Sequence, residues 1–233
     1  MRTVGIIGGL GPESTVDYYR RIIAAYREQK QDGSYPSIII NSVDLKKMLD
    51  FAAANEWAAA TEYLVAEVQK LARAGADFGV LSANTPHIVF DEICSQSPIR
   101  LLSIVQATCD TAKSLGLKRV GLFGTRFTMK AGFYQRAFSD KGITLILPDE
   151  NEQDYIHDKY MNELVKGIFP PETREQLLRI VENLKERERI QGLILGGTEL
   201  PLILGEADVK NVDIPFLDTT QIHVKAIVAQ LLS

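Results

Sequence analysis

The 233-residue chain, 45% hydrophobic and 24% charged, has ordinary globular composition and enough length for one large core or two small ones. Its formal net charge of -4 gives no support to nucleic-acid binding, which requires a basic face. No apolar run approaches the roughly 18 residues of a membrane span, and "MRTVGIIGGLG" reads as strand and loop rather than a secretory leader.

Short apolar runs alternate with amphipathic segments along the whole chain, the pattern of parallel α/β architecture. The runs read as strands are, in order, "TVGIIGG", "SIIINSV", "DFGVLSA", "RLLSIV", "RVGLFGT", "TLILP", "GLILGGT" and "PFLDT". Helices fit between them. One spans about Glu13 to Gln29, with Tyr18, Ile22, Ile23 and Tyr26 on a shared face; another spans about Trp57 to Ala74, with Tyr63, Leu64 and Leu71 inward. In "VLSANTPHIV", Thr85 suits a helix N-cap, and Pro86 suits the first helical position because its missing N–H has no helical partner to lose. "KGI" and "PPETREQ" mark turns, and "RIVENLKERER" reads as a solvated helix exterior.

The order repeats. "VGIIGG" resembles "VGLFGT", "DFGVLSANTPH" resembles "QGLILGGTELP", and "PIRLLSIV" resembles "IPFLDTT". Two similar lobes follow, each with a mainly parallel four-stranded sheet flanked by helices, the first of residues 1–104 with 213–233 and the second of 105–212. Loops after parallel strands emerge at the carboxyl edge, where open α/β sheets bind ligands. The exits carry Gly8-Gly9-Leu10-Gly11, Asn84-Thr85, Gly124-Thr125, Gly197-Thr198 and Asp218-Thr219-Thr220. Small and hydroxylic side chains at each exit suit a small polar or anionic ligand held by N–H and hydroxyl donors.

The glycine loop is an incomplete dinucleotide fingerprint, because Ser14 stands where the third glycine belongs and "SIIINSVD" places no acid at the end of its strand. A tight turn that lets a helix pack on the first strand accounts for it. His87, next to Pro86, fits a structural hydrogen-bonding role better than proton transfer. His157 and His223 lie apart from it, with no spacing of a metal site. Cys94 and Cys109 make no disulfide framework, which favours a cytoplasmic setting, and both read as buried thiols on helices. Lys166 serves either a helix C-terminus or a ligand carboxylate, and Glu199 either a helix start or a base.

Together "GIIGGLGPESTVDYYRRI", "AGADFGVLSANTPH", "VGLFGTRFTM", "ELVKGIF" and "GLILGGTELPLIL" resemble the aspartate/glutamate racemase family over nearly the whole chain. The resemblance implies two pseudo-symmetric lobes with an active-site cleft between them, and a homodimer. It also implies a cofactor-independent isomerase acting on a small acidic amino acid or dicarboxylate. It carries substrate contacts to Leu10, Asn84, Thr85, Thr125, Lys166, Thr198 and Glu199. The family's two thiols correspond to Ala83 and Gly197 here; some relatives keep a hydroxyl at the first and a cysteine at the second, but this chain lacks both. Racemisation needs a base on one face of Cα and an acid on the other, and each lost group typically removes about 10²–10⁴ in rate. Ser82, Thr198 and Glu199 are the residues left to act. Three functions follow: Cα proton chemistry with a different acid–base set, a binding or regulatory protein that kept the pocket, and a nucleotide-dependent enzyme using the glycine loop.

Overall fold

The computed structural model describes residues 2–233, and of Glu206 only the backbone. In chain order the elements are β1 (Thr3–Gly8), α1 (Pro12–Gln29), β2 (Ser37–Ser42), α2 (Leu45–Ala54), α3 (Trp57–Arg73), β3 (Phe78–Leu81), α4 (Phe90–Gln96), β4 (Arg100–Leu102) and α5 (Ile104–Ser114). The second half runs β5 (Arg119–Gly124), α6 (Arg126–Lys130), α7 (Phe133–Ser139), β6 (Thr144–Ile146), α8 (Glu150–Asn162), α9 (Pro171–Glu188), β7 (Gly192–Gly196), α10 (Leu200–Ile203), α11 (Glu206–Val212), β8 (Phe216–Asp218) and α12 (Thr219–Leu232). Two 3-10 turns, Thr85–Val89 and Leu164–Lys166, complete the path.

The strands form two four-stranded sheets, ordered β2-β1-β3-β4 and β6-β5-β7-β8, with all pairs parallel. The same order in both halves is the structural form of the repeat in the sequence. The chain divides into two compact units, Met1–Ile104 with Thr220–Ser233, and Val105–Thr219. Residues 213–219 therefore belong with the second unit, not with the first as the sequence reading placed them. The reason is pairing: Leu217 of β8 lies opposite Ile194 of β7, and Asp218 opposite Leu195.

In the first unit, alternation along β1 sorts two cores. Val4 and Ile6 point to one face, packed with Tyr18, Ile22 and Tyr26 of α1 and Val224, Ile227, Val228 and Leu231 of α12. Ile7 points to the other face, with Leu64, Val68 and Leu71 of α3, Met48 of α2 and Ile93 of α4. A sheet covered on both faces has apolar residues at successive positions, which is why these strands read as continuous hydrophobic runs. The second unit repeats the device, with Val120, Leu122 and Phe123 on β5 and Leu193, Ile194 and Leu195 on β7 all buried. No helix among the described residues is long and apolar enough to cross a membrane.

Candidate functional site

In the first unit, the loop after β1 is closed by short contacts. Gly9 has φ 77°, and a Cβ there would fall 2.2 Å from the Val43 carbonyl oxygen. Its N–H donates to Thr15 Oγ1 (2.9 Å), whose hydroxyl donates to the Gly11 carbonyl (3.1 Å). A Cβ on Gly8 would meet Thr15 Cγ2 at 2.5 Å. The glycines therefore seat α1 against the strand ends, and the Gly9 N–H is committed to the protein. Leu10, half-buried, packs against the Ile7–Leu64 core.

The turn after β3 is a 3-10 turn. Asn84 precedes it in helical conformation without a side-chain cap, and Thr85 is its first residue rather than an N-cap. Ser82, a proposed base in the sequence reading, is fully buried, and its hydroxyl donates to the Ile7 carbonyl (3.0 Å). Ala83 is half-buried, Asn84 buried and Thr85 half-buried. Both His87 nitrogens face the backbone. Nε2 accepts from the Ile104 N–H (3.3 Å), so Nδ1 carries the proton and donates to the Ala83 carbonyl (3.1 Å). Burial, chiefly, holds its pKa down to about 3, and the ring is neutral near pH 7. His87 stacks on Phe90 with ring centres 4.6 Å apart.

In the second unit, Thr125 caps α6 by accepting from the Thr128 N–H (3.2 Å). Arg126 follows it, donating its N–H to His157 Nδ1 (3.2 Å) and its guanidinium to Asp154 (2.9 Å). Burial, with Arg126 adding to it, lowers the His157 pKa. One turn further along α8, Tyr160 reaches the exit of β7. Its hydroxyl donates to Glu199 Oε2, and Thr198 Oγ1 donates to the same oxygen (2.8 Å). Burial first, and then the Glu199 charge, push the phenol well above its ordinary pKa, so it stays protonated in the neutral range.

Gly197 explains why Tyr160 fits there. A Cβ on Gly197 would fall 2.4 Å from Tyr160 Cε2 and 2.8 Å from its hydroxyl oxygen. The backbone of Gly197 is not left-handed, so what a side chain would have to displace is the Tyr160 ring. Sequence reasoning did not single out Tyr160, although "YMNELVKGIF" contains it; the available signal was a glycine whose missing side chain leaves space beside a buried strand. Lys166 ends the 3-10 turn after α8, exposed, and its side chain makes no hydrogen bond or ion pair among the described residues. Asp218 ends β8, and Thr219 Oγ1 donates to the Leu195 carbonyl (2.9 Å).

The thiols lie elsewhere. Cys109 is buried on α5, but Cys94 on α4 is exposed, contrary to the sequence reading, because it occupies the solvent side of a short helix whose buried residue is Ile93. Burial, with Asp110 adding to it, pushes the Cys109 thiol up to about 11, so it is not a thiolate near neutrality. Among the described residues, no three histidine, cysteine or acidic side chains converge as metal ligands.

Two parallel sheets with small and hydroxyl-bearing exits, one of them backed by a buried Tyr–Glu pair, define an α/β protein of the kind whose strand ends bind ligands. The chain belongs to the Asp/Glu/Hydantoin racemase family, which matches residues 7–227. It is 25% identical over 239 residues to the broad specificity amino-acid racemase RacX of Bacillus subtilis (strain 168), covering 99% of this chain and 98% of that protein. A crystal structure from Yersinia pestis, described as a candidate Asp/Glu racemase, superposes with TM-score 0.92 at 34% identity, covering both chains completely. An aspartate racemase homologue from Pyrococcus horikoshii OT3 does so with TM-score 0.88 at 33% identity, again over both full chains.

Proposed function

We propose that this protein binds a small acidic amino acid or dicarboxylate and handles the proton on its α-carbon without a cofactor. The observation that carries the reading is the pairing of family membership with an exit of β7 that holds a carboxylate, Glu199, beside hydroxyl donors of Thr198 and Tyr160. Asn84, Thr85, Thr125 and Thr198 are the proposed donors, with Lys166 as the cation for a carboxylate and Leu10 as an apolar neighbour. The α-hydrogen of an amino acid is very weakly acidic, so a base held out of water and oriented at Cα is the minimum such a site must supply.

The test is titration with L- and D-aspartate, L- and D-glutamate and succinate by calorimetry, followed by proton NMR of each amino acid in D₂O with the protein. Binding of at least one, with loss of its α-proton signal, is the expected result. Binding of none would remove the reading; binding without exchange would reduce it to a binding protein.

A further inference from the structure

Three carboxylate side chains are buried among the described residues: Glu67, Asp208 and Glu199. Two of them hold a cation. Glu67 on α3 pairs with Lys70 (2.7 Å) and also accepts from Asn41 Nδ2 (2.7 Å). Asp208 on α11 pairs with Arg174 and accepts from the Gly205 N–H (2.9 Å) at the start of its own helix. Glu199, 8% exposed at the exit of β7, has no cationic partner among the described residues. Its partners are the Tyr160 and Thr198 hydroxyls, both on Oε2 and both uncharged. Although Glu199 is the N-cap residue of α10, its side chain caps nothing. Oε1 accepts no hydrogen bond among the described residues, yet it is not one of the enclosed, unpartnered side-chain oxygens, which are Gln153 Oε1 and Thr220 Oγ1. A carboxylate withdrawn from water is costly unless a cation compensates it. Two hydroxyls fix the direction of this one without neutralising it, and they leave one oxygen for a charge that the chain does not supply.

We propose that the missing cation is the ligand's own: Glu199 Oε1 receives the ammonium group of an amino acid. The inference rests on the proposed function and narrows its ligand to a compound that carries an amine, in preference to a plain dicarboxylate. An ammonium on a buried carboxylate makes a charge-assisted hydrogen bond, about twice as strong as a neutral one. A dicarboxylate of the same length brings no such partner. It leaves Glu199 uncompensated and adds a like charge, so the site discriminates by repulsion as well as by attraction. Tyr160 is a positioning residue, since a buried carboxylate with one oxygen pinned presents the other in a fixed direction. Its ring keeps that place because Gly197 has no side chain to compete for it. Asp218, the acid at the end of β8, is half-buried and already engaged with a partner, so it is the weaker candidate for the ammonium. The assignment makes and breaks no covalent bond, and it holds whichever side chain moves the α-proton.

Calorimetry on the unmodified protein compares L- and D-aspartate with succinate, and L- and D-glutamate with glutarate, pairs that differ only in the amine. L-malate, with a neutral hydroxyl at the same carbon, is the third arm. The amino acid is expected to bind about tenfold to a hundredfold more tightly than its amine-free counterpart, the worth of one hydrogen bond to a charged group. Glu199→Gln keeps the shape and removes the charge, and it is expected to bring the two affinities together. Tyr160→Phe keeps the ring beside Gly197 and releases Oε2, and it is expected to reduce the preference about twofold to tenfold while succinate binding stays unchanged. A purely structural role for Tyr160 would weaken both ligands alike. Succinate or malate binding as tightly as aspartate, and glutarate as tightly as glutamate, would overturn the inference and leave the proposed function standing. Binding of none of these compounds would remove both. A preference that survives Glu199→Gln, or one lost in Asp218→Asn instead, would overturn the assignment by placing the ammonium elsewhere. The comparison of paired ligands needs only the unmodified protein, so it decides even where a variant fails to fold.

Discussion

The Tyr160 ring lies where a side chain at residue 197 would project: a Cβ built on Gly197 falls 2.4 Å from Tyr160 Cε2. The two positions are 37 residues apart in sequence, on α8 and at the end of β7, and their side chains would compete for one space. Gly197→Cys alone is expected to cost about 1–3 kcal/mol by overpacking and to give no racemase. Ala83, half-buried, has more room for a sulfur. By the family resemblance, thiols at both positions would flank Cα, so Ala83→Cys with Gly197→Cys and Tyr160→Leu is expected to racemise aspartate or glutamate slowly, while the pair of cysteines without the Tyr160 change does not. Thermal melts and the decay of optical activity check both statements. A Gly197→Cys protein as stable as wild type would show that the ring moves aside freely.

Lys166 is exposed and its side chain is unpaired among the described residues, so replacing it touches little of the fold. Lys166→Met is expected to change stability by less than about 0.5 kcal/mol. If Lys166 takes a ligand carboxylate, the same change should weaken binding of aspartate, glutamate or succinate by about tenfold to a hundredfold, as the loss of a charge-assisted bond does. Calorimetry decides. Unchanged affinity with lowered stability would instead assign Lys166 to the end of its 3-10 turn.

The glycine loop gives a stability test. Gly9→Ala forces a side chain into left-handed backbone and to within 2.2 Å of the Val43 carbonyl oxygen, so a loss of about 2–4 kcal/mol is expected in urea unfolding. Gly142 has φ 71° but open space around it, and Gly142→Ala should cost only about 1 kcal/mol. Equal losses at the two positions would mean that the contact with Val43 is not what requires a glycine.

The strands and their division into two parallel sheets were legible because a sheet buried on both faces writes itself as apolar runs, and because "VGLFGT" and "QGLILGGTELP" echo "VGIIGG" and "DFGVLSANTPH". Helix faces were legible where the period was clean, as at Tyr18, Ile22 and Tyr26, all buried. Three features were not. The 213–219 segment was given to the first lobe although "IPFLDTT" had matched "PIRLLSIV" as a fourth strand, and the pairing of β8 with β7 follows that match. Thr85 looked like a cap because Thr-Pro suits either an α-helix start or a 3-10 turn. Tyr160 went unnoticed because its meaning lies in Gly197 and Glu199, which reach it only through the fold.

Acid should weaken the first unit before its carboxylates titrate. Burial, chiefly, holds His87 at about 3 and His223 at about 4, against about 6.5 in an unfolded chain. The geometry gives the reason. His223 donates from Nε2 to the Leu102 carbonyl (3.1 Å) and accepts at Nδ1 from the Tyr18 hydroxyl (2.9 Å), and His87 accepts at Nε2 from the Ile104 N–H. A second ring proton would set donor against donor in both. Below pH 6.5 the unfolded chain therefore binds protons that the folded one refuses, so this stability is complete above about pH 6.5 and falls as the pH drops towards 4. Each histidine contributes about 1.4 kcal/mol per pH unit in that window, on the order of 2 kcal/mol by pH 5. Glu67 and Glu163, whose paired carboxylates sit below their ordinary pKa, add their losses only at more acid pH. Urea-unfolding midpoints at pH 5, 6, 7 and 8 measure the slope, and His223→Gln, neutral throughout, should remove about half of it. A midpoint that stays constant from pH 8 to pH 5 would mean that both rings accept their second proton inside the folded protein.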